Sequence, residues 1–177
     1  MSLRHLAIVS IVLAGLTASC RADKKPSPSS LADEKNPAKP ERPKLYDTQA
    51  DGNEQIALAL SRARAEQKRV LLKFGANWCE WCHKLSKCFE ENDDIARVLN
   101  ENFVLVPIDV DIVDDRKHNA DVLERYGNPT RLGLPALVVL DAEGDQLTTK
   151  DTAELEEGDH HDPARVLTFL NQWKPTR

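Results

Sequence analysis

Positive charge is not in excess in this chain: 24 Lys and Arg stand against 29 Asp and Glu, a formal net charge of −5. It has neither a basic stripe nor aromatics interleaved with cations, which excludes a protein built mainly to hold nucleic acid. Internal repeats are absent, which excludes a solenoid or propeller. The apolar run from Leu6 to Leu16 is shorter than the about 20 residues a membrane-spanning helix needs. Asp109, Asp111, Asp114 and Asp115 are the densest acidic group, yet the glycine and closing glutamate of a calcium loop are missing at the required offsets. That group is therefore expected to be a solvated acidic loop. A second Cys-x-x-Cys is also lacking, so a closed zinc site would need two further ligands. The adjacent pair His160-His161 could supply them, but beside Gly158 it reads as exposed loop. No metal and no organic cofactor is expected.

Residues 1–19 read as a secretory signal. Arg4 and His5 give a short positive end, and Leu6 to Leu16 has the length of a signal core. Thr17-Ala18-Ser19 then places small residues directly before Cys20, as in a bacterial lipoprotein cleavage box, although Thr17 stands where Leu is usual. Cys20 is thus the candidate lipid attachment point. Plain cleavage after Ala18 or Ser19, or retention as an anchor, are the alternatives. Residues 20–45 are rich in Pro, Lys, Ser and Glu and poor in large apolar side chains. Such a segment cannot bury enough surface to offset its chain entropy, so it reads as a disordered, extended tether. The remainder, 46–177, is large enough for one hydrophobic core. The expected location is outside the cytoplasm, in the periplasm, on a bacterial membrane. Disulfides persist in such a compartment.

The pattern from residue 51 onward alternates helices and strands. A helix is predicted over 51–68, with Ile56, Leu58, Ala59, Leu60 and Ala63 inward and Asp51 or Asn53 as cap. Val70 to Phe74 reads as a central strand and Glu80 to Glu91 as a helix buried along Leu85 and Phe89. Asp93 or Asp94 caps a further helical turn with Ile95, Val98 and Leu99 inward. Phe103 to Asp109 is the next strand, kinked or at an edge because of Pro107. Asn119 to Tyr126 is a short helix, Ala136 to Leu140 a strand, residues 141–144 a turn, and Gln146 to Thr149 the returning strand. Asp162-Pro163 opens the last helix, with Val166, Leu167, Leu170 and Trp173 inward.

The chemistry concentrates in Trp78-Cys79-Glu80-Trp81-Cys82-His83, where a strand hands over to a helix. A helix N-terminus carries free N–H groups and a partial positive charge. That field favours a thiolate, the species that attacks disulfides. Two cysteines at this spacing can cycle between dithiol and disulfide, taking up or releasing two electrons. Cys88 lies six positions beyond Cys82 on the same helix. It points to another side and reads as a small buried core residue, or else as a regulatory thiol.

With Trp78-Cys79-Glu80-Trp81-Cys82 after a buried strand, and Leu134-Pro135 before another, the chain resembles the thioredoxin-like superfamily over roughly Tyr46 to Trp173. Gly75-Ala76-Asn77-Trp78-Cys79 resembles its bacterial periplasmic branch, including the C-terminal domain of the DsbD type. The resemblance implies an α/β thioredoxin fold, a single domain with a central mixed sheet flanked by helices. It implies a cis proline at Pro135, with the backbone of Leu134 offered to an extended partner. Cys79 is then the nucleophile and Cys82 the resolving thiol, while Trp78 and Trp81 form an apolar landing surface. Redox tuning falls to Glu80, His83 and Lys73. Glu80 opposes a thiolate beside it, which favours a reductase or isomerase over an oxidase. Lys73 stands where many relatives place a buried acid. It either turns outward or reaches an acid such as Asp109, with water or Glu80 then managing the proton. The implied partners are disulfide-bearing proteins and a second thiol protein that donates or accepts electrons. A rival reading is a thioredoxin-fold binding or chaperone-like module in which the cysteine pair is secondary. A thiol peroxidase is a third, but no activating Arg or Thr stands beside Cys79.

Overall fold

Strand β1, Arg69–Gly75, is apolar at Val70, Leu71, Leu72 and Phe74, and a strand buried on both faces needs that composition. It takes the middle of the sheet. On one side it pairs in parallel with β2, Phe103–Asp109, and on the other antiparallel with β5, Ala136–Leu140. Strand β6, Gln146–Asp151, completes a four-stranded mixed sheet of order β2-β1-β5-β6. The structure is a computed structural model that describes residues 42–113 and 116–176. The expected signal segment, Cys20 and the tether up to residue 41 lie outside the described residues.

Alternation along β1 divides the core. Val70, Leu72 and Phe74 face one side, where Ile56, Ala59, Leu60 and Ala63 of helix α1, Gly52–Glu66, meet them. Leu71 faces the other, against Leu85 and Phe89 of α2, Glu80–Glu91, and Ile95, Val98 and Leu99 of α3, Asp93–Asn102. Each fully buried Leu or Phe of this kind contributes about 1.5–3 kcal/mol. The same alternation sends Lys73 and Gly75 toward α2, which puts them under the cysteine pair.

Most predicted elements are present, and several details differ. Leu58 is 73% exposed, because its place on α1 lies off the stripe defined by Ile56, Ala59 and Ala63. Asp51 caps α1, accepting from the N–H groups of Asn53 and Glu54. Asn92, not Asp93 or Asp94, caps α3, with its side chain accepting from Ile95 N. Pro107 sits in β2 at the sheet edge, where a missing N–H costs no ladder bond. Helix α4 is Ala120–Arg125, followed by a 3-10 turn over Pro129–Leu132 that the turn residues concealed. Helix α5, Pro163–Trp173, is capped by Asp162 and buries Phe169 beside Val166 and Leu170, while Leu167 and Trp173 are only partly covered.

Two corrections concern polar residues. Asp109 is buried rather than solvated. Its Oδ2 is 3.0 Å from His118 Nδ1, and Asn119 donates to its carbonyl while accepting from Gly52 N. Two short strands, β3 (Ile112–Val113) and β4 (Arg116–Lys117), fold this stretch back and carry His118 into place. The pair His160-His161 is not a loose loop either. It forms β8, paired with β7, Glu156–Glu157. His161 is 2% exposed and meets Trp81 edge-on at 5.4 Å between ring centroids.

Neither ring nitrogen of His161 has a hydrogen-bond partner among the described residues. Burial, with Lys84 and His160 adding positive charge nearby, pulls its pKa from 6.5 down to about 4. The unfolded chain therefore takes up this proton at a higher pH than the folded one. Stability from the neutral ring is complete above about 6.5 and is lost as pH falls toward about 4. Urea midpoints followed from neutral pH to pH 4 are expected to fall, and to fall less in His161→Leu.

Candidate active site

The turn between β1 and α2 is held from below. Asn77 Oδ1 accepts from the backbone N–H of Leu45 at 2.8 Å and of Tyr46 at 3.0 Å, and its Nδ2 donates to Tyr46 O at 2.9 Å. The residues leading into the domain are thereby fastened to the site, so order begins before the end of the expected tether. His83 Nε2–H donates to Asn77 O at 2.8 Å, which commits that imidazole to the loop and not to the sulfurs.

Cys79 is the N-cap of α2, with extended φ −71° and ψ 109°, and its Sγ accepts from Cys82 N at 3.1 Å. Cys79 and Cys82 are joined by a disulfide, with their α-carbons 5.2 Å apart. Both cysteines are buried, Cys82 completely. On reduction the N–H that now points at Cys79 Sγ stabilises its thiolate, reinforced by the free amides of the first helical turn. Cys82 lies deeper, with none of its surface exposed.

The flanking residues differ from one another. Trp78 is 60% exposed, and its Nε1–H donates to Asp111 Oδ1 at 2.8 Å. Trp81 is partly buried between Lys84, 4.3 Å above its ring, and His161. Leu134, joined to Pro135 by a cis peptide bond, packs on the small cluster of Tyr46, Cys79 and Cys82. Glu80 is exposed and paired with Arg42, so its charge beside the sulfurs is offset. Cys88 is a half-buried free thiol whose pKa is raised by burial and by Asp162, and it takes no part in the pair.

Lys73 follows neither expected course. It is 3% exposed, donates to Ser86 Oγ, and lies 5.0 Å from the centroid of the Tyr46 ring. Asp109 is occupied with His118 instead. Burial lowers the Lys73 pKa from 10.5 to about 8, only partly opposed by Glu90. The residues not anticipated are Tyr46, Asn77 and Ser86. Ser86 had a signal, since it follows Cys82 by one helical turn and so shares its face. Among the described residues no group of three or more His, Cys, Asp or Glu side chains is gathered in a way that could hold a metal ion.

Residues 52–142 match the sequence model of the family described as thioredoxin-like. The crystal structure of a disulphide isomerase from Xylella fastidiosa superposes with a TM-score of 0.64 at 32% identity, over 73% of this chain and 96% of that one. The oxidised C-terminal domain of DsbD from Neisseria meningitidis shares the fold, with a TM-score of 0.51 at 19% identity over 71% of this chain and 97% of that one. In sequence, the thiol:disulfide interchange protein DsbD of Colwellia psychrerythraea is 30% identical over 98 residues, 55% of this chain and 15% of that protein. Spermatogenesis-associated protein 20 of Mus musculus is 39% identical over 68 residues, 38% of this chain. The match spans only 8% of the mouse protein's length.

Two outcomes follow from the ground beneath the sulfurs. A β-carbon on Gly75 would lie 2.2 Å from Tyr46 Oη and 2.6 Å from Cys82 Sγ. Gly75→Ala is therefore expected to lower stability by about 1–3 kcal/mol in urea unfolding, through overpacking. For Lys73 the unfolded chain holds its proton to higher pH than the fold. Stability should rise between about pH 8 and 10.5, a slope that Lys73→Met removes.

Proposed function

Because the chain belongs to the thioredoxin-like family, we propose that it is a thiol–disulfide oxidoreductase acting on protein disulfides in the cell envelope. The observation that carries this reading is the placing of Cys79 at the N-cap of α2, disulfide-bonded to Cys82, with Leu134 and its cis bond to Pro135 packed against the pair.

In the reducing direction, the Cys79 thiolate attacks one sulfur of a partner disulfide. A bond forms between Cys79 and that sulfur, and the partner's other sulfur leaves with the electron pair and takes a proton. Cys82 then loses its proton and attacks Cys79 Sγ. The new bond is the intramolecular disulfide, and the partner departs as a dithiol, two electrons richer. A second thiol protein restores the dithiol by the reverse exchange. Leu134 offers backbone to an extended partner segment beside the cis bond. Trp78 supplies exposed apolar surface, and Trp81 backs it.

The direction proposed is reductase or isomerase. The likeness to a disulphide isomerase supports it, whereas Glu80 supports it less than its sequence position suggests, because Arg42 offsets its charge. Lys73 and His83 tune the pair only indirectly, one through the packing of Tyr46 and the other through the Asn77 loop. The same proposal takes residues 1–19 as an export signal, Cys20 as the lipid-bearing residue of a membrane-anchored form, 20–45 as the tether, and 46–177 as the catalytic domain. A periplasmic location fits the DsbD likeness.

Cys79→Ser is expected to abolish reduction of a model protein disulfide, and Cys82→Ser to accumulate a partner bonded to Cys79, seen as a reducible adduct by mass spectrometry. The potential of the pair should lie nearer the about −270 mV of a thioredoxin than the about −120 mV of a strong oxidant. A double serine variant that still complements a deletion strain would defeat the enzyme reading in favour of a binding module.

A further inference from the structure

Each half of the proposed cycle places negative charge on Cys82. When a donor thiolate attacks Cys79, the breaking disulfide leaves its electron pair on Cys82 Sγ. When Cys82 resolves a mixed disulfide, its sulfur must first lose a proton. Yet Cys82 is 0% exposed, so water does not reach it. A buried anion is costly unless a donor meets it.

The neighbouring donors are mostly committed. The N–H of Cys82 points to Cys79 Sγ, and that of His83 to Cys79 O. The His83 ring serves Asn77, and one N–H of Lys73 Nζ serves Ser86, while the amine itself lies over the Tyr46 ring. Tyr46 Oη is different. It is buried and has no hydrogen-bond partner among the described residues. It and Cys82 Sγ both lie within 2.6 Å of the point a β-carbon of Gly75 would occupy, so the hydroxyl and the sulfur are close neighbours at that glycine. They are also members of one buried cluster. A buried hydroxyl left without a partner is costly, and in the disulfide state no described residue accepts from it.

We propose that Tyr46 is the positioning residue of the resolving sulfur: when the disulfide opens, its hydroxyl donates a hydrogen bond to Cys82 Sγ. This rests on the redox cycle proposed above. The electron pair of the broken S–S bond stays on Cys82, and the Tyr46 proton stays on its oxygen. The groups facing Tyr46 keep it a donor. Burial and the charge of Asp109, in register with Gly75 on the neighbouring strand, hold the phenol pKa far above its usual value. Lys73 lies over its ring, and Cys79 and Cys82 close the remaining side. Asn77 clamps the Tyr46 backbone on both its N–H and its carbonyl, so the ring is held in place before the sulfur needs it.

Tyr46→Phe removes the hydroxyl and keeps the ring. In the full-length chain with Cys20 and Cys88 changed to serine, the ultraviolet thiolate signal of the reduced protein reports only the pair. The later of its two transitions should move up by about one pH unit, and release of a partner bound to Cys79 should slow about tenfold, while capture by Cys79 keeps its rate. An unchanged later transition and an unchanged release rate, in a folded variant, overturn the proposal. If the variant fails to fold, the wild-type chain still decides. The NMR shift of the Tyr46 ring carbon bearing the hydroxyl should change on reduction and again with the later titration, and no change overturns the idea. A wild-type chain that captures no disulfide defeats the proposed function, yet the thiolate titration still reads the contact with Tyr46.

Discussion

Gly75 supplies a missing side chain at the one place where a sheet, a helix and an incoming segment converge. The last residue of β1 faces α2, and any β-carbon there would collide with the phenol of Tyr46 and the sulfur of Cys82. Without it, the helix settles close enough for Cys82 to be wholly buried, and Cys79, one turn earlier, becomes the cap at the helix mouth. In the proposed cycle the difference between an attacking and a resolving thiol is thus a difference of depth. One sulfur has amides in front of it, and the other has a hydrocarbon floor and a single hydroxyl.

The polar groups around this point are arranged economically. Lys73 is buried, and its amine is satisfied by Ser86 and by the face of the Tyr46 ring. Asp109 is drawn to His118 at the far end of β2, while Asn119 ties that end to the start of α1. Cation and carboxylate are therefore kept apart, each with its own partner. A buried Lys73–Asp109 pair would have cancelled both fields beneath the sulfurs, whereas separate partners leave an amine of lowered pKa on one side and a buried carboxyl on the other.

Much of this was legible from residues alone. The apolar run of β1, the bounds of α2, the Asp162-Pro163 start of α5 and the Leu134-Pro135 step all carry local signals that tertiary structure did not override. The cysteine pair was legible because its spacing and its place before a helix are sequence properties. What escaped depended on long-range placement. Tyr46 reads as the first residue after a polar stretch, and only folding brings it under Cys82. Asp109 looked like one more acid in an acidic loop, because His118 reaches it only once β3 and β4 turn the chain back. His161 looked exposed beside Gly158, since a two-residue strand has no periodicity to announce it. Asn92 capped α3 in place of its acidic neighbours by one position, a shift that composition does not resolve.

The clamp that Asn77 places on Leu45 and Tyr46 has a mechanical consequence. Tension applied to the chain ahead of residue 45 is delivered to the loop carrying the reactive sulfurs before it reaches the sheet. A pull of that kind would draw on the phenol and the cysteine loop together, as one unit. A load taken up by the chain ahead of residue 45 would therefore reach this domain at its working end.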